Sequence, residues 1–217
     1  MNAQREAAGP DTLLVIAKEP VPGRVKTRLT PPYTPLEAAA LAEAALTDTL
    51  NTMLQVPARR RVLVLDGAPG PWLPPGFEVV PQASGGLDER IAAAFALCDG
   101  PSLLVGMDTP QLTPRLLTDV GSDGHDAWFG PAADGGFWAL GFADPGRDGV
   151  LVRGVPMSTD RTGAIQRRRL TEAGLTIGEL PLLRDVDTAA DAASAAACCA
   201  PGSRFAATLA SLAESVR

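Results

Sequence analysis

The sequence predicts one α/β domain built on a mixed, mostly parallel sheet, and three observations carry that expectation. Short apolar runs alternate with helix-length segments through the first half of the chain, the order that builds parallel strands joined by right-handed crossovers. After Ala127 two aromatic-rich runs, Ala127–Pro131 and Gly136–Phe142, are separated by only Ala132-Ala133-Asp134-Gly135, a spacing that suits a hairpin or an antiparallel insertion. With 217 residues, 46% of them hydrophobic and 20% charged, the chain can bury the core of one large domain. No repeat, low-complexity block or linker divides it, so a single domain is expected over 12–217, behind a polar, alanine-rich flexible leader over 1–11.

The elements follow in order. Leu13–Ile16 is apolar at every position, as a strand buried on both faces requires. The next segment holds Lys18, Arg24, Lys26 and Arg28 together with Pro20, Pro22 and Gly23; its prolines fix φ and predict a stiff, extended basic loop. Thr34-Pro35-Leu36-Glu37 is a capping box with proline at the first helical position, opening a helix to about Gln55. Arg61–Asp66 reads as a second buried strand, which makes the first strand interior and puts its basic loop at the ligand-binding rim. Phe77–Val80 is a short strand, followed by Ser84-Gly85-Gly86 and a helix to about Cys98. Ser102–Met107 is a fourth strand, and Thr113-Pro114 starts another helix. Val150–Val155 reads as a further strand; Thr162 caps a helix over Ala164–Ala173 that Gly174 ends. Leu175–Leu180 is a strand, Asp185-Val186-Asp187-Thr188 leads into a helix over Ala189–Ala200, and Ser203 starts the last one.

Composition excludes several classes. A formal net charge of −6 argues against nucleic acid as a partner, because such binding uses a broad basic face. No apolar run approaches the roughly 20 residues that span a bilayer, so no membrane partner is expected. Cys98, Cys198 and Cys199 lack metal-ligand spacing and fit buried thiols in a reducing cytoplasm. A single histidine, His125, leaves no basis for a histidine triad or a multi-histidine zinc site.

Against this acidic background the basic loop stands out. The chain has only two lysines, Lys18 and Lys26, and both lie in it. Lysine binds phosphate as a compact point charge. Asp108 follows a buried strand and should emerge at the same rim, and Asp185 and Asp187, two apart, would point the same way in extended backbone. Asp134 precedes Gly135-Gly136, which permits close approach of a ligand. Carboxylates beside a diphosphate suit Mg2+ or Mn2+, hard ions that take oxygen ligands. Each has a structural reading as well: Asp187 with Thr188 as a helix cap, Asp108 before Thr109-Pro110 and Asp134 before two glycines as turn residues. Arg167-Arg168-Arg169 is most simply a solvated helix face.

Ala17-Lys18-Glu19-Pro20, Pro22-Gly23 and Lys26-Thr27-Arg28-Leu29 resemble the opening of a bacterial glycosyltransferase family of the arsenosugar-biosynthesis type. Gly106-Met107-Asp108-Thr109-Pro110, Gly130 to Trp138 and Asp185-Val186-Asp187-Thr188 resemble its later motifs, so the likeness runs from about Leu13 to Ala193. The resemblance implies a Rossmann-like GT-A fold of the nucleotide-diphospho-sugar transferase superfamily and a metal-assisted glycosyl transfer to a small acceptor. It implies a nucleotide held by Ala17, Lys18, Glu19, Gly23, Lys26, Arg28, Gln82, Gly86 and Leu87, with Mg2+ or Mn2+ on Asp108 and Asp187. Asp134 and Asp108 would be catalytic, and Gly135, Gly136 and Trp138 would meet the acceptor. The closing Asp-Val-Asp-Thr also resembles guanylyltransferases and molybdenum-cofactor nucleotidyltransferases, so nucleotidyl transfer from a nucleoside triphosphate stays open. So does a non-catalytic nucleotide-sugar-binding protein.

Overall fold

The computed structural model describes residues 9–215. Of the leader expected over 1–11, residues 1–8 lie outside those described. Gly9–Asp11 sit against the domain: Pro10 is buried and the Asp11 carbonyl accepts from the amides of Arg59 and Arg60.

The protein is a single α/β domain around a seven-stranded mixed sheet. The strands are β1 (Thr12–Lys18), β2 (Arg60–Asp66), β3 (Glu78–Pro81), β4 (Ser102–Gly106), β5 (Ala127–Pro131), β6 (Phe137–Phe142) and β7 (Ile177–Glu179), in the spatial order β3-β2-β1-β4-β6-β5-β7. β1, β2, β3 and β4 run parallel; β6 is antiparallel to both β4 and β5. The antiparallel unit expected from the aromatic runs is therefore present, with an irregular register at Gly130/Pro131.

Alternation along β1 divides the core. Leu13, Val15 and Ala17 point to the face covered by α1 (Pro35–Gln55), against Leu46, Leu50 and Met53. Leu14 points to the other face, where α2 (Leu87–Phe95) supplies Ile91 and Phe95. After the short α3 (Pro145–Asp148), α4 (Thr162–Glu172) adds Leu170 to this second layer. The outer side of α1 is buried too, because α5 (Ala189–Cys198) and α6 (Arg204–Ser215) pack Ala192, Ala195 and Phe205 against Leu41 and Ala45. The capping box is formed: Glu37 N–H donates to Thr34 Oγ1 and Thr34 N–H to Glu37 Oε2 at 2.7 Å.

Four local expectations are corrected. The basic loop is not extended but folds through turns into a 3-10 turn over Thr27–Leu29. Thr113-Pro114 opens only a 3-10 turn, Pro114–Leu117, before the turns at Gly121 and Gly124, both with positive φ. Val150–Val155 is not a strand; Gly149–Val152 forms a 3-10 turn with Val152 in the core beneath α2, and Gly154 N–H donates to Asp88. Thr162 is the first residue of α4 rather than its cap, its hydroxyl donating to the Pro156 carbonyl at 2.7 Å.

The chain leaves β1 in one direction to β2 and β3 and returns to its other side with β4. This reversal opens a crevice beyond the carboxyl ends of β1 and β4, where open α/β sheets bind ligands.

Candidate functional site

A cavity of about 840 Å³ lies at that crevice. This is within the range of small-molecule sites. Its floor is the end of β1 (Ile16 to Lys18) and of β4 (Gly106 to Thr109).

At its centre Lys26 joins the carboxylates of distant segments. The backbone at Lys26 is left-handed (φ 47°, ψ 39°), uncommon outside glycine and asparagine. The side chain is 8% exposed, with Nζ 2.8 Å from Asp108 Oδ1 and 3.3 Å from Asp187 Oδ1. Arg28 reaches Asp187 Oδ2 at 3.1 Å from the solvent side. Burial disfavours the Lys26 charge, but Asp108 and then Asp187 more than offset it, so its pKa stands above the ordinary lysine value. Asp187 therefore does not cap α5; Thr188 does, in a box with Asp191. Asp185 lines the same cavity, and its carboxyl is pushed up to about 7, first by burial and then by the charges of Asp108 and Asp134.

The remaining candidates divide by position. Ala17, Lys18, Gln82, Gly86 and Leu87 line the cavity with Lys26 and Arg28; Glu19 and Gly23 do not. Glu19 accepts from the Ala68 amide, and Gly23 is exposed in a turn with φ 76°. Gln82 ties the sheet together by donating to the carbonyls of Ala17 and Val64 and accepting from Arg90. Opposite, Asp134, Gly136 and Trp138 line the wall. Asp134 Oδ1 accepts from Gly136 N–H at 2.8 Å, so one oxygen does serve a turn. Trp138 is 2% exposed and donates to the Pro181 carbonyl at 2.9 Å, which makes it a rigid wall. Gly135 lies behind the wall, where an added Cβ would overlap the Asp160 carbonyl.

The sequence alone gives no site role to Arg90, Thr109, Met157, Ser158, Thr159, Asp160 or Thr162, all of which line the cavity. A polar Ser-Thr-Asp run before a helix was a signal, but its proximity to Gly135 depends on Gly163: the Gly163 amide donates to the Gly135 carbonyl at 2.8 Å, and a Cβ there would overlap the Gly136 carbonyl.

Among the described residues no group of three or more histidine, cysteine, aspartate or glutamate side chains is arranged to hold a metal ion. Asp108 and Asp187 nonetheless fit one kind of site, since Mg2+ is commonly held by one or two carboxylates and completed by phosphate oxygens. In this structure the Lys26 ammonium stands between them.

The mixed sheet with its reversal and basic loop defines an α/β protein of the nucleotide-diphospho-sugar transferase fold. Over residues 39–159, more than half its length, the chain matches the family described as "Uncharacterized protein conserved in bacteria" (DUF2064), and it belongs to that family. It is similar to a candidate nucleotide-diphospho-sugar transferase from Desulfovibrio desulfuricans G20, with 26% identity and a TM-score of 0.79 over 94% of each chain. The fold is shared with Rv0371c of Mycobacterium tuberculosis H37Rv, solved with manganese (21% identity, TM-score 0.51, 87% of this chain and 98% of that one). It is shared too with a 4-diphosphocytidyl-2C-methyl-D-erythritol synthase from Anaerococcus prevotii DSM 20548 (11% identity, TM-score 0.51, 98% and 99%). The sequence matches no curated protein. Among the described residues no helix is long and apolar enough to cross a membrane.

Proposed function

We propose that the protein is a cytoplasmic glycosyltransferase that moves a sugar from a nucleotide-diphospho-sugar to a small acceptor. The observation that carries this reading is the ion-paired meeting of Lys26 with Asp108 and Asp187 inside a cavity roomy enough for two substrates. The resemblance of the basic loop and of Gly130–Trp138 to the arsenosugar-type family, and the 26% identity to the Desulfovibrio protein, support a sugar donor. The free thiols of Cys98, Cys198 and Cys199 fit a reducing compartment, although only Cys98 is buried as expected; Cys198 is exposed and Cys199 half-buried.

Charge pairing gives the donor a more specific form. Lys26 and Arg28 are engaged by aspartates, and Arg90 by Asp66. Lys18 and Arg24 line the cavity and enter no ion pair among the described residues. Two uncommitted cations match the two charges of a diphosphate better than the greater charge of a triphosphate. Gln82, Gly86 and Leu87 border the base. Asp108 and Asp187 would hold Mg2+ or Mn2+, which would neutralise charge on the leaving diphosphate.

In the reaction the bond between the sugar and the diphosphate breaks, the acceptor oxygen bonds to the sugar carbon, and the acceptor proton goes to a carboxylate. The free oxygen of Asp134 is the candidate to take it. The nucleoside diphosphate leaves against Lys18 and Arg24.

A thermal-shift panel of nucleotide sugars and nucleoside triphosphates with Mg2+ or Mn2+ tests the reading. Stabilisation by a nucleotide sugar, followed by its acceptor-dependent consumption, is the expected result. Stabilisation by GTP or CTP alone, with pyrophosphate released, would establish nucleotidyl transfer instead. Binding without turnover over a broad acceptor screen would leave a nucleotide-sugar-binding protein.

A further inference from the structure

We propose that the acceptor half of the cavity receives a molecule that carries a protonated amine and no phosphate. The proposal rests on the nucleotide reading of the basic half and extends it to the class of the second substrate.

Charge is segregated along the cavity wall. Every lysine and arginine that lines it, namely Lys18, Arg24, Lys26, Arg28 and Arg90, comes from the β1 loop or α2. Every acidic side chain that lines it, namely Asp108, Asp134, Asp160, Asp185 and Asp187, comes from β4 onward. The basic side is matched to phosphates. On the opposite side Asp134, Asp160 and Asp185 enter no ion pair among the described residues. Asp134 and Asp160 share one rim, because the Asp160 backbone lies against Gly135.

A phosphorylated acceptor would meet the Asp134 and Asp160 carboxylates, which enter no ion pair among the described residues. The first turn of α4 offers it little, since the Thr162 amide donates to the Thr159 carbonyl and the Gly163 amide to the Gly135 carbonyl. An ammonium group, by contrast, meets two carboxylates and the half-buried ring of Phe137 on the same wall. A second feature of the cavity is independent of the acidic cluster. Thr109 is 1% exposed, lines the cavity, and its hydroxyl has no hydrogen-bond partner among the described residues. Buried hydroxyls are rarely left so, and a donor or acceptor on a bound ligand would satisfy it.

The test uses three probes on one skeleton: glucosamine, glucose and glucose 6-phosphate. Each is titrated calorimetrically at pH 6.5 into the full chain saturated with the nucleoside diphosphate of the donor that the stabilisation panel selects. Glucosamine is expected to bind about twofold to fivefold more tightly than glucose, the scale of one partly exposed ion pair, and glucose 6-phosphate more weakly than glucose. The preference should fall to about unity when Asp134→Asn and Asp160→Asn are combined; the wild-type ranking decides the matter if that variant does not fold. Tightest binding by glucose 6-phosphate, absence of a preference for glucosamine, or a preference unchanged in the folded double variant would overturn the proposal. A chain that binds nucleotide but ranks the probes otherwise refutes this inference alone. One that binds no nucleotide refutes the donor reading beneath it.

Discussion

Asp185→Asn measures what the acidic side of the cavity costs the fold. The native carboxyl titrates at about 7 instead of 3.8, because burial and then Asp108 and Asp134 oppose its ionisation, Lys26 relieves it in part, and Asp187 adds to it. A raised carboxylate pKa means that the native state keeps a proton the unfolded chain has already released. Stability is then unaffected by Asp185 below about pH 4, falls as pH rises from about 4 to 7, and levels off above that. The full displacement corresponds to about 4 kcal/mol above pH 7, and we take about 2–4 kcal/mol because the side chain is only half-buried and its surroundings relax. At pH 5 the same reasoning gives about 1 kcal/mol. Asparagine cannot ionise, so the variant should gain on wild type by about 1–3 kcal/mol more at pH 8 than at pH 5. Urea unfolding of both proteins at the two pH values, in chelator, reads this double difference, in which the new amide's own hydrogen bonds cancel. An advantage that is equal at both pH values, or smaller at pH 8, would refute the raised pKa and the crowding of carboxylates behind it.

Lys26→Met keeps the aliphatic stem but removes the charge between Asp108 and Asp187; we expect a loss of about 1–3 kcal/mol in urea unfolding, below the range for a fully buried pair because both aspartates are about a third exposed. No loss would show the pair to be incidental. Gly163→Ala should destabilise by about 2 kcal/mol although alanine is the better helix former by about 1, because its Cβ would overlap the Gly136 carbonyl. A raised melting temperature would contradict the close approach of α4. Lys18→Ala should leave unfolding unchanged within about 0.5 kcal/mol, since Lys18 is exposed and enters no ion pair among the described residues, while weakening nucleotide-sugar binding about tenfold by calorimetry. Unchanged affinity would remove Lys18 from the donor side.

Much of the architecture was legible from local signals. The runs Leu13–Ala17 and Val62–Leu65 within the first two strands are apolar at every position because both faces are covered, and Thr34 with Pro35 and Glu37 specifies its helix start chemically. The errors arose where the local signal was weak or shared. Val150–Val155 has the composition of a strand, yet its segment fills the space under α2, and Gly154, at φ 72°, turns the chain away. In the basic loop the prolines restrict φ only at their own positions, which does not stop the intervening residues from turning.

The site shows the same division. The types of residue were readable: two lysines in one loop and aspartates after strands. Asp185 stands beside Asp187 in the sequence, but its raised pKa comes first from burial in the folded domain and then from Asp108 and Asp134, more than fifty positions away in the chain. Arg90 and Thr109 carry no local pattern that separates them from ordinary helix and turn residues, and the polar run Ser158-Thr159-Asp160 before α4 is a signal that does not say which cavity it lines.

By itself the sequence determined most of the strands and the long helices, the acidity of the whole and the basic character of one loop, because periodicity, capping and charge act over a few neighbouring residues. Only the tertiary structure decided that Lys26 meets Asp187, 161 positions distant, and that cations and aspartates face one another across a single cavity. Those contacts depend on the order in which strands join the sheet and on the close approach of Gly163 to Gly135, which are fixed by packing over the whole domain.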